Sequence, residues 1–494
     1  LTTNMAVSQQ WFIQWSPPSM VFADISRQYQ SVNHGWNHDS ARRPPAVGNA
    51  GTGAVNYTVQ VYYEPVADFL SFHFPERARA AGVTLWLAML GLGLSRPAAD
   101  TPPFRTLYKW KHIDFEFPSA SHRQRALAFV PANVLPLGLE VWGSRVFVTL
   151  PSWRRGVPAT LATVPRAGAT SAPNLRPYPS WKFHRAFNNE TKKCSGLTSV
   201  FRINADPCGR LWVLDSGQID SQDTPKQLCP PSIVVFDLYT DELIARYPIP
   251  SKYVLQDSLF ANIIVDTRLD DCSDLHVYIA DTWRFGLLVF REHDTKFWRF
   301  SHHLFYPDPF ASNFSLHGLN FQWSDGIFGL ALTPIDQFQE RILFFHPMSS
   351  FREFYVSTEI LRQPSRVNSS STQFNLVGYS RGSSGQSSAS AIDRRGVMYY
   401  GLVTRDTVGC WNSKQPYQQS TLGVVARNQE TLVFPNDIKV DQEALQSVWV
   451  ISNKLPMFQA APLDLNDYNY RILYANTDDA VRGTVCDPDL QMQT

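Results

Sequence analysis

The sequence predicts an all-β fold, a six-bladed β-propeller with four-stranded blades around a central tunnel. Of the 494 residues 13% are aromatic and 18% charged, with 34 Pro and 26 Gly, a composition that favours short strands and turns over long helices. A strand–turn–strand unit also recurs six times along the chain. A sheet that is apolar on both faces is stable only when neighbours cover it, so such a repeat favours a closed ring.

Each repeat joins a first strand, through a polar turn, to a β-branched or aromatic second strand. The six repeats are 137–153, 197–217, 260–281, 316–332, 388–403 and 434–453. Their second strands begin near residues 146, 211, 276, 326, 397 and 448. Further strand candidates between them are 232–240, 243–249, 286–292, 296–302, 342–347 and 353–358. Four strands for each of six units is the pattern of a propeller.

The two ends of the propeller segment supply the strands that close the ring. The opening stretch LYKWKHIDFEF (107–117) and the late stretch YRILYAN (470–476) complete one blade together in this prediction. The alternative fold is a pair of β-sandwich domains, which would need a linker between them. The nearest candidate, GSSGQSSAS (382–390), runs directly into a strand and is interpreted as a loop between blades.

The first hundred residues differ from the rest of the chain. Residues 77–99 place two arginines before a twelve-residue apolar run, Val83 to Leu94, and small residues after it. This order is typical of a secretory signal peptide, and the run is shorter than the roughly 20 residues of a membrane-spanning helix. We expect residues 1–76 to be non-native or disordered sequence upstream of that signal. The propeller is then expected to occupy residues 100–494.

Cysteine and charge content limit the function classes. The six cysteines form no CxxC pair, which argues against zinc ribbons and thioredoxin-like sites, and three disulfides among six cysteines allow 15 connectivities. With 44 Lys+Arg against 43 Asp+Glu, the chain lacks the basic excess of a nucleic-acid binder. Asn-x-Ser/Thr sequons occur at Asn56, Asn189, Asn313 and Asn368. We expect a secreted, extracellular glycoprotein that has no nucleic-acid or membrane partner.

Several stretches resemble the yellow / major royal jelly protein family of insects, and more closely its yellow branch. They include LTSVFRINADPCGRLWVLDSG (197–217), CPPSIVVFDLYTDELIARYPIP (229–250), FYPDP within 302–332, VGCWN (408–412) and FPNDIKVD (434–441), and the match runs from about 104 to 488. The resemblance implies a secreted six-bladed propeller. Members are linked to cuticle and melanin pigmentation, some are described as dopachrome-converting enzymes, and salivary relatives bind biogenic amines in the tunnel.

The first strands of the blades begin near one mouth of the expected tunnel, and short polar residues lie at these starts. The residues are Asn133, Thr198, Asn262, Asn320, Ser390, Asn436, Asp437 and the nearby Asn453. A few placed donors and acceptors in an aromatic frame suit a small ligand. Phe260 and Phe434 are the candidate stacking partners, and Asp437 is the candidate counter-ion for an ammonium group. The alternative is that these polar residues simply cap loops between blades.

The sequence is compatible with three functions. The first is binding of a small catechol or indole amine in the tunnel, with a role in melanin or cuticle pigmentation. The second is a dopachrome-converting enzyme of tautomerase or decarboxylase type, whose base would be Asp437 or His317. The third is a calcium-dependent propeller hydrolase using oxygen ligands from Asn262, Asn436 and Asp437. The tunnel has few carboxylates for a calcium site, and tandem His302 and His303 point to opposite faces of a strand and cannot easily share one metal. We expect no cofactor and no metal site. The sequence leaves the oligomeric state open.

The predicted blades also suggest how the cysteines pair. Cys208 and Cys272 occupy equivalent turns of neighbouring blades, in CGRLWVLDSG (208–217) and CSDLHVYIAD (272–281), so we expect them to bond. Cys194 and Cys229 both sit at the opposite end of their blade and form the second expected pair. Cys410 and Cys486 remain, and would tie the C-terminal region to the fifth blade.

Overall fold

The fold is known from a computed structural model that describes residues 103–125, 129–184, 194–268, 271–338 and 340–490. The segments 1–76 and 77–99, with Asn56, and the sequon at Asn189 lie outside the described residues.

The chain forms six four-stranded antiparallel sheets, which are the blades of a β-propeller. The innermost strands of successive blades contact one another in a closed ring, each neighbouring the next and the sixth neighbouring the first. Both the fold class and the number of blades predicted from the sequence are therefore confirmed.

The strands of each blade run from the tunnel outwards. Blade 1 consists of Gly138–Trp142, Arg145–Thr149, Leu161–Pro165 and Arg176–Pro177, and blade 2 of Val200–Ala205, Arg210–Asp215, Ser232–Asp237 and Leu243–Pro248. Blade 3 consists of Phe260–Arg268, Asp271–Asp281, Gly286–Arg291 and Lys296–Ser301, and blade 4 of Ile327–Leu332, Ile342–Pro347, Phe354–Ser357 and Asn375–Leu376. Blade 5 consists of Ser387–Ile392, Val397–Leu402, Thr407–Asn412 and Leu422–Arg427, and blade 6 of Pro435–Val440, Ser447–Ser452, Tyr470–Asn476 and Arg105–Trp110.

Blade 6 is built from both ends of the described chain. Its outermost strand, Arg105–Trp110, pairs with Tyr470–Asn476, as the sequence predicted. Because the first strand of the propeller completes its last blade, opening the ring breaks a ladder of backbone hydrogen bonds.

Blade 4 corrects the sequence-based assignment by one strand. The prediction made the segment 326–332 a second strand, whereas Ile327–Leu332 is the innermost strand and Asn313–Leu316 pairs with Leu319–Gln322 in a separate hairpin. The reason is visible in burial. Every residue of Ile327–Leu332 is buried, as a strand covered on both faces requires, whereas the two hairpin strands alternate exposed residues with buried or half-buried ones. Asn320 therefore lies on the exposed face of this hairpin and not at the start of an innermost strand.

An acidic residue and an aromatic residue recur together in four blades. The aspartate lies near the end of the innermost strand or directly after it, and it accepts a hydrogen bond from a Trp or Tyr of the second strand. The pairs are Trp212 with Asp206 (2.8 Å), Tyr278 with Asp266 (2.8 Å), Tyr399 with Asp393 (3.1 Å) and Trp449 with Asp441 (2.9 Å). Each pair satisfies the polar atom of a buried aromatic side chain, so large rings can fill the space between blades.

Helices are few and short. The α-helices are Ala120–Arg125, Thr358–Leu361, Leu455–Ala460 and Thr477–Val481. The 3-10 turns are Pro131–Asn133, Trp181–Phe183, Ser251–Tyr253, His303–Phe305, Pro309–Ala311, Pro364–Arg366 and Gln419–Thr421, and a further small hairpin pairs Gln218–Ile219 with Lys226–Gln227. Within the described ranges, no helix has the length and apolar character to cross a membrane.

Three disulfides link positions that are distant in the sequence. They are Cys194–Cys229, Cys208–Cys272 and Cys410–Cys486, with Cα–Cα distances of 5.5, 6.0 and 6.1 Å. These are the pairs expected from blade positions, and Cys208–Cys272 joins blade 2 to blade 3. The covalent links restrict the unfolded chain over separations of 35 to 76 residues, which stabilises the folded ring.

Candidate functional site

A side chain bridges every junction between neighbouring blades at the tunnel. Three of the bridges accept a backbone N–H of the next innermost strand: Asp437 Oδ2 from Leu139 (2.9 Å), Glu140 Oε2 from Ala205 (3.0 Å) and Asn204 Oδ1 from Val265 (2.9 Å). The other three donate to a backbone carbonyl: Asn262 Nδ2 to Phe328 (2.8 Å), His346 Nε2 to Ser388 (2.7 Å) and Ser388 Oγ to Pro435. We call these six contacts the clasps. They satisfy buried backbone groups and hold the blades together.

The clasps account for two local irregularities of the blades. The pairing register shifts just before Asn262 and just before Asp437, and such β-bulges change the direction of the next side chain. At the blade 4 to blade 5 junction the clasp comes from His346 on the second strand, because Gly329 leaves open the space that the imidazole occupies. An added Cβ at Gly329 would lie 2.2 Å from this ring.

Arg202 crosses the tunnel. It begins on blade 2 and is fully buried, and its guanidinium donates to the carbonyl of Leu137 on blade 1 (2.8 Å) and to Asn436 on blade 6 (3.0 Å to Oδ1). It also pairs with Asp437 (3.5 Å) and lies 5.6 Å from the ring centroid of Phe328 on blade 4. Contacts with three other blades place this side chain across the axis, where it divides the tunnel into two halves.

Aromatic residues fill the half of the tunnel where the innermost strands begin. We call this group the aromatic plug: Phe201, Phe314, Phe321, Trp323, Phe328 and Phe434. Phe314 and Phe321, from the hairpin at 313–322, stack with ring centroids 5.2 Å apart, and Trp323 lies edge-on to Phe434 at 5.8 Å. The apolar face of the hairpin thus covers this end of the tunnel, which we call the plugged end.

The other half of the tunnel is a polar cavity of about 390 Å³. Its walls are the innermost strands, and its rim consists of the turns that follow them, where Pro207, Arg394 and Gln442 are exposed. This is the open end of the tunnel, and its volume falls within the range of small-ligand sites. The polar side chains of its wall include Glu140, Asn204, Asn262, Thr267, Arg341, Ser390, Asp437 and Lys439.

Two groups in this cavity keep unused hydrogen-bonding capacity. The Lys439 ammonium forms no hydrogen bond or ion pair with any described residue, although its charge acts on Glu140. The Ser390 hydroxyl also has no hydrogen-bond partner within the described part of the chain. Most other polar wall residues are committed to clasps or to neighbouring turns.

Glu140 is a fully buried carboxyl group in the wall of the cavity. Burial raises its pKa, and the nearby positive charge of Lys439 together with hydrogen bonds from Val141, Ala205 and Asn204 opposes that rise. A buried carboxyl with a raised pKa exchanges its proton closer to neutral pH than a solvated one does.

The structure separates the residues that the sequence grouped at one mouth. Asn262, Ser390 and Asp437 line the polar cavity. Asn436 and Asn453 are buried and bonded to Arg202 and to the Pro136 carbonyl respectively. The stacking candidates Phe260 and Phe434 are 1% and 0% exposed and belong to the packed core, Phe260 between blades 2 and 3 and Phe434 in the aromatic plug.

The remaining candidates lie away from the polar cavity. Asn133 ends a 3-10 turn and donates to the carbonyl of Arg155 (2.8 Å). Thr198 lines a separate cavity of about 70 Å³ with His184 and Asp220. His317 occupies the tip of the hairpin in the left-handed conformation and contacts Asp406 (2.8 Å), so it is not placed to act as a base in the cavity.

Sequence reasoning missed Glu140, Arg202 and Lys439. A strand that is buried on both faces is expected to carry apolar residues throughout, and Glu140 and Lys439 interrupt such strands. A charged residue within an innermost strand was therefore the pattern that could have indicated them. Arg202 interrupts an equally buried strand, VFRINA, in the same way.

Two further patterns do not form sites. Residues 378–382 read GYSRG, the pattern of a nucleophile elbow, but they lie in the loop before blade 5, and the Ser380 hydroxyl donates to the Phe351 carbonyl (3.4 Å). Over the part of the chain that the structure covers, no three His, Cys, Asp or Glu side chains cluster as metal ligands would.

The chain was compared with protein families, with characterised relatives and with solved structures. The profile of the family described as major royal jelly protein matches residues 198–486. Dopaminechrome tautomerase from Drosophila melanogaster is 44% identical over 396 residues, which is 78% of this chain and 84% of that protein. Protein yellow from Drosophila subobscura is 39% identical over 409 residues, 82% of this chain and 71% of that protein. Virginiamycin B lyase from Staphylococcus aureus aligns with a TM-score of 0.36 and 9% identity over 70% of this chain and 97% of that structure, too low for a functional inference.

Proposed function

Because the chain belongs to the yellow and major royal jelly protein family, we propose that it is a tautomerase that isomerises an aminochrome, an oxidised and cyclised catecholamine, in the polar cavity. The observation that carries the proposal is a cavity of about 390 Å³ on the propeller axis that holds a buried carboxyl and an ammonium group. The 44% identity to a dopaminechrome tautomerase supports the choice of reaction.

The chemistry of such an isomerisation suits this wall. Protons leave the saturated carbons of the five-membered ring, the electron pairs move into the ring system, and the two quinone oxygens each gain a proton. No electron is gained or lost overall, so the reaction needs an acid–base group and a positive charge near the quinone oxygens. Glu140, Asp437 and Lys439 supply these two kinds of group around one cavity.

We place this activity in an extracellular setting connected with melanin or cuticle pigmentation. Three disulfides and the exposed sequons Asn313 and Asn368 support secretion. Enzymatic deglycosylation of protein secreted from insect cells should lower its mass, and a protein retained inside cells with no such change would contradict this placement.

The reaction is tested with purified protein and freshly prepared dopaminechrome. We expect the absorbance of the aminochrome to decay faster with protein than with buffer, with 5,6-dihydroxyindole as the product. Heat-inactivated protein is the matched control. Decay at the buffer rate with both dopaminechrome and dopachrome would refute the tautomerase proposal.

The second candidate is binding of an amine without turnover. Carboxylates in the wall of the cavity, Glu140 and Asp437, favour it, because a protonated amine gains from a nearby negative charge. Calorimetry with dopamine and serotonin separates the two proposals. Heat of binding without aminochrome conversion supports the binder, and absence of heat at high micromolar ligand counts against it.

A further inference from the structure

We infer that Lys439 and Glu140 are the reacting pair of the polar cavity, Glu140 as the acid–base group and Lys439 as the charge that stabilises the quinone oxygen. The inference rests on the proposed tautomerase function and names the residues that would perform it. The sequence had pointed instead to Asp437 and His317.

Asp437 differs from Glu140 because it forms an ion pair with the buried guanidinium of Arg202. Its Oδ1 accepts from the N–H of Ile438 (3.0 Å) and its Oδ2 from that of Leu139 (2.9 Å), and Arg202 neutralises its charge. Its position suits a clasp between blades 6 and 1.

Lys439 differs from every other charged group discussed in the wall. It follows Asp437 by two residues, so both side chains lie on the same side of the strand. It lines the cavity without a hydrogen bond or ion pair to any residue that the structure describes. An ammonium group held in a cavity beside low-dielectric walls stabilises an oxygen that gains negative charge.

Glu140 is fixed in position yet retains capacity to exchange a proton. Hydrogen bonds from Val141, Ala205 and Asn204 orient its carboxyl group, and the Lys439 charge from blade 6 acts on it. In the forward reaction the Glu140 carboxylate takes a proton from a saturated ring carbon. The C–H electron pair moves through the ring to the quinone oxygen near Lys439, and that oxygen then takes up a proton. A second such transfer completes the aromatic product.

The decisive variant is Lys439→Met, because it removes a charge without breaking a bond seen in the fold. We expect kcat to fall about 100-fold with dopaminechrome and equally with dopachrome, since both carry the quinone and only dopachrome carries a carboxylate. Lys439→Arg should recover part of the rate because it keeps the charge. Lys226→Met, at an exposed lysine outside the cavity, is the matched control and should match the wild-type protein.

The pH profile distinguishes a reacting pair from a structural one. Glu140 must be ionised to act as a base, so kcat/KM should rise with pH through the pKa of this carboxyl. Because the Lys439 charge lowers that pKa, Lys439→Met should move the rising limb to higher pH, and Glu140→Gln should abolish the limb. A purely structural role for Lys439 would leave the limb where it is.

The possible results distinguish a failure of the assigned pair, Lys439 and Glu140, from a failure of the proposed tautomerase function. A wild-type rate with Lys439→Met, or a loss confined to the KM for dopachrome, would overturn the inference while the tautomerase function stands. The second of these results would mean that Lys439 binds the substrate carboxylate only. If the wild-type protein converts neither substrate, the proposed function fails and the assignment of this pair fails with it.

Discussion

The two ends of the tunnel are built from the same six strands and have opposite character. At the plugged end, Phe314 of the hairpin at 313–322 belongs to one buried cluster with Phe328 and Phe434. At the open end, the same strands enclose a polar cavity of about 390 Å³. Arg202 lies between the two halves and contacts blades 1, 4 and 6 from blade 2.

The plugged end therefore contributes mainly to the stability of the ring, whereas the open end offers the groups that can bind or convert a ligand. The aromatic plug stabilises the ring by burying apolar surface, and it closes its end of the tunnel to ligands. The polar half stays open to ligands because the clasps hold its strands in place. A polar side chain on the axis is therefore not by itself a ligand group. Asn262 and Asp437 line the cavity and are also clasps, whereas Lys439 is free of such a contact with the described residues.

The largest expected effect comes from replacing Arg202, which lies between the two ends of the tunnel. Arg202→Met leaves Asp437 buried without its cation and leaves the Leu137 carbonyl without its donor. Breaking a buried ion pair in this way costs about 3–5 kcal/mol of unfolding free energy. Denaturant unfolding followed by Trp fluorescence measures the loss.

The control for this variant is a surface pair of the same chemistry. Arg123 contacts Asp114 at 2.6 Å, with side-chain exposures of 48% and 24%, so Arg123→Met should cost less than about 1 kcal/mol. Equal losses for the two variants would show that Arg202 does not hold the two halves together.

The next effect tests the plug by itself. Phe314→Ala removes a ring that is 2% exposed, and we expect a loss of about 3 kcal/mol in unfolding free energy. Phe310→Ala, four residues earlier and 90% exposed, should change stability by less than about 0.5 kcal/mol. Since Arg202 divides the tunnel, the kcat of the folded Phe314→Ala protein should stay near the wild-type value. A large drop in kcat at unchanged fold would show that the two ends act as one site.

Sequence reasoning predicted the ring well because its signals are periodic and local. Turn residues and alternating strands marked five innermost strands and the closing strand Arg105–Trp110. It failed at the hairpin 313–322, where an amphipathic pair of strands resembles a blade until its exposed face is known. Of the polar residues that it grouped at one mouth, Asn262 and Asp437 line the cavity, but which residues are clasps depends on contacts between residues as far apart as Asp437 and Leu139. No local pattern encodes such a contact.

The smallest effect concerns pH and compares the two ends again. On the strand-start side, burial lowers the pKa of His184 to about 4, although the hydrogen bond that its ring donates to the Tyr178 carbonyl (3.0 Å) opposes this shift. The other ring nitrogen accepts from the N–H of Thr160 (3.3 Å). The unfolded state then binds more protons below the ordinary histidine pKa of about 6.5, so stability falls as pH drops from about 6.5 towards 4. At the open end, the raised pKa of Glu140 acts in the opposite direction, favouring the folded protein as pH falls.

His184→Gln isolates the first of these contributions. The variant is less stable than the wild-type protein at pH 7.5, because glutamine fits the enclosed site less well. It lacks the titrating group, however, so the difference between the two proteins should shrink by about 2 kcal/mol between pH 7.5 and pH 5.0. Paired denaturant titrations at the two pH values measure this change. A difference that stays constant with pH would mean that His184 titrates in the folded protein as it does in the unfolded chain, and that the strand-start side is not enclosed.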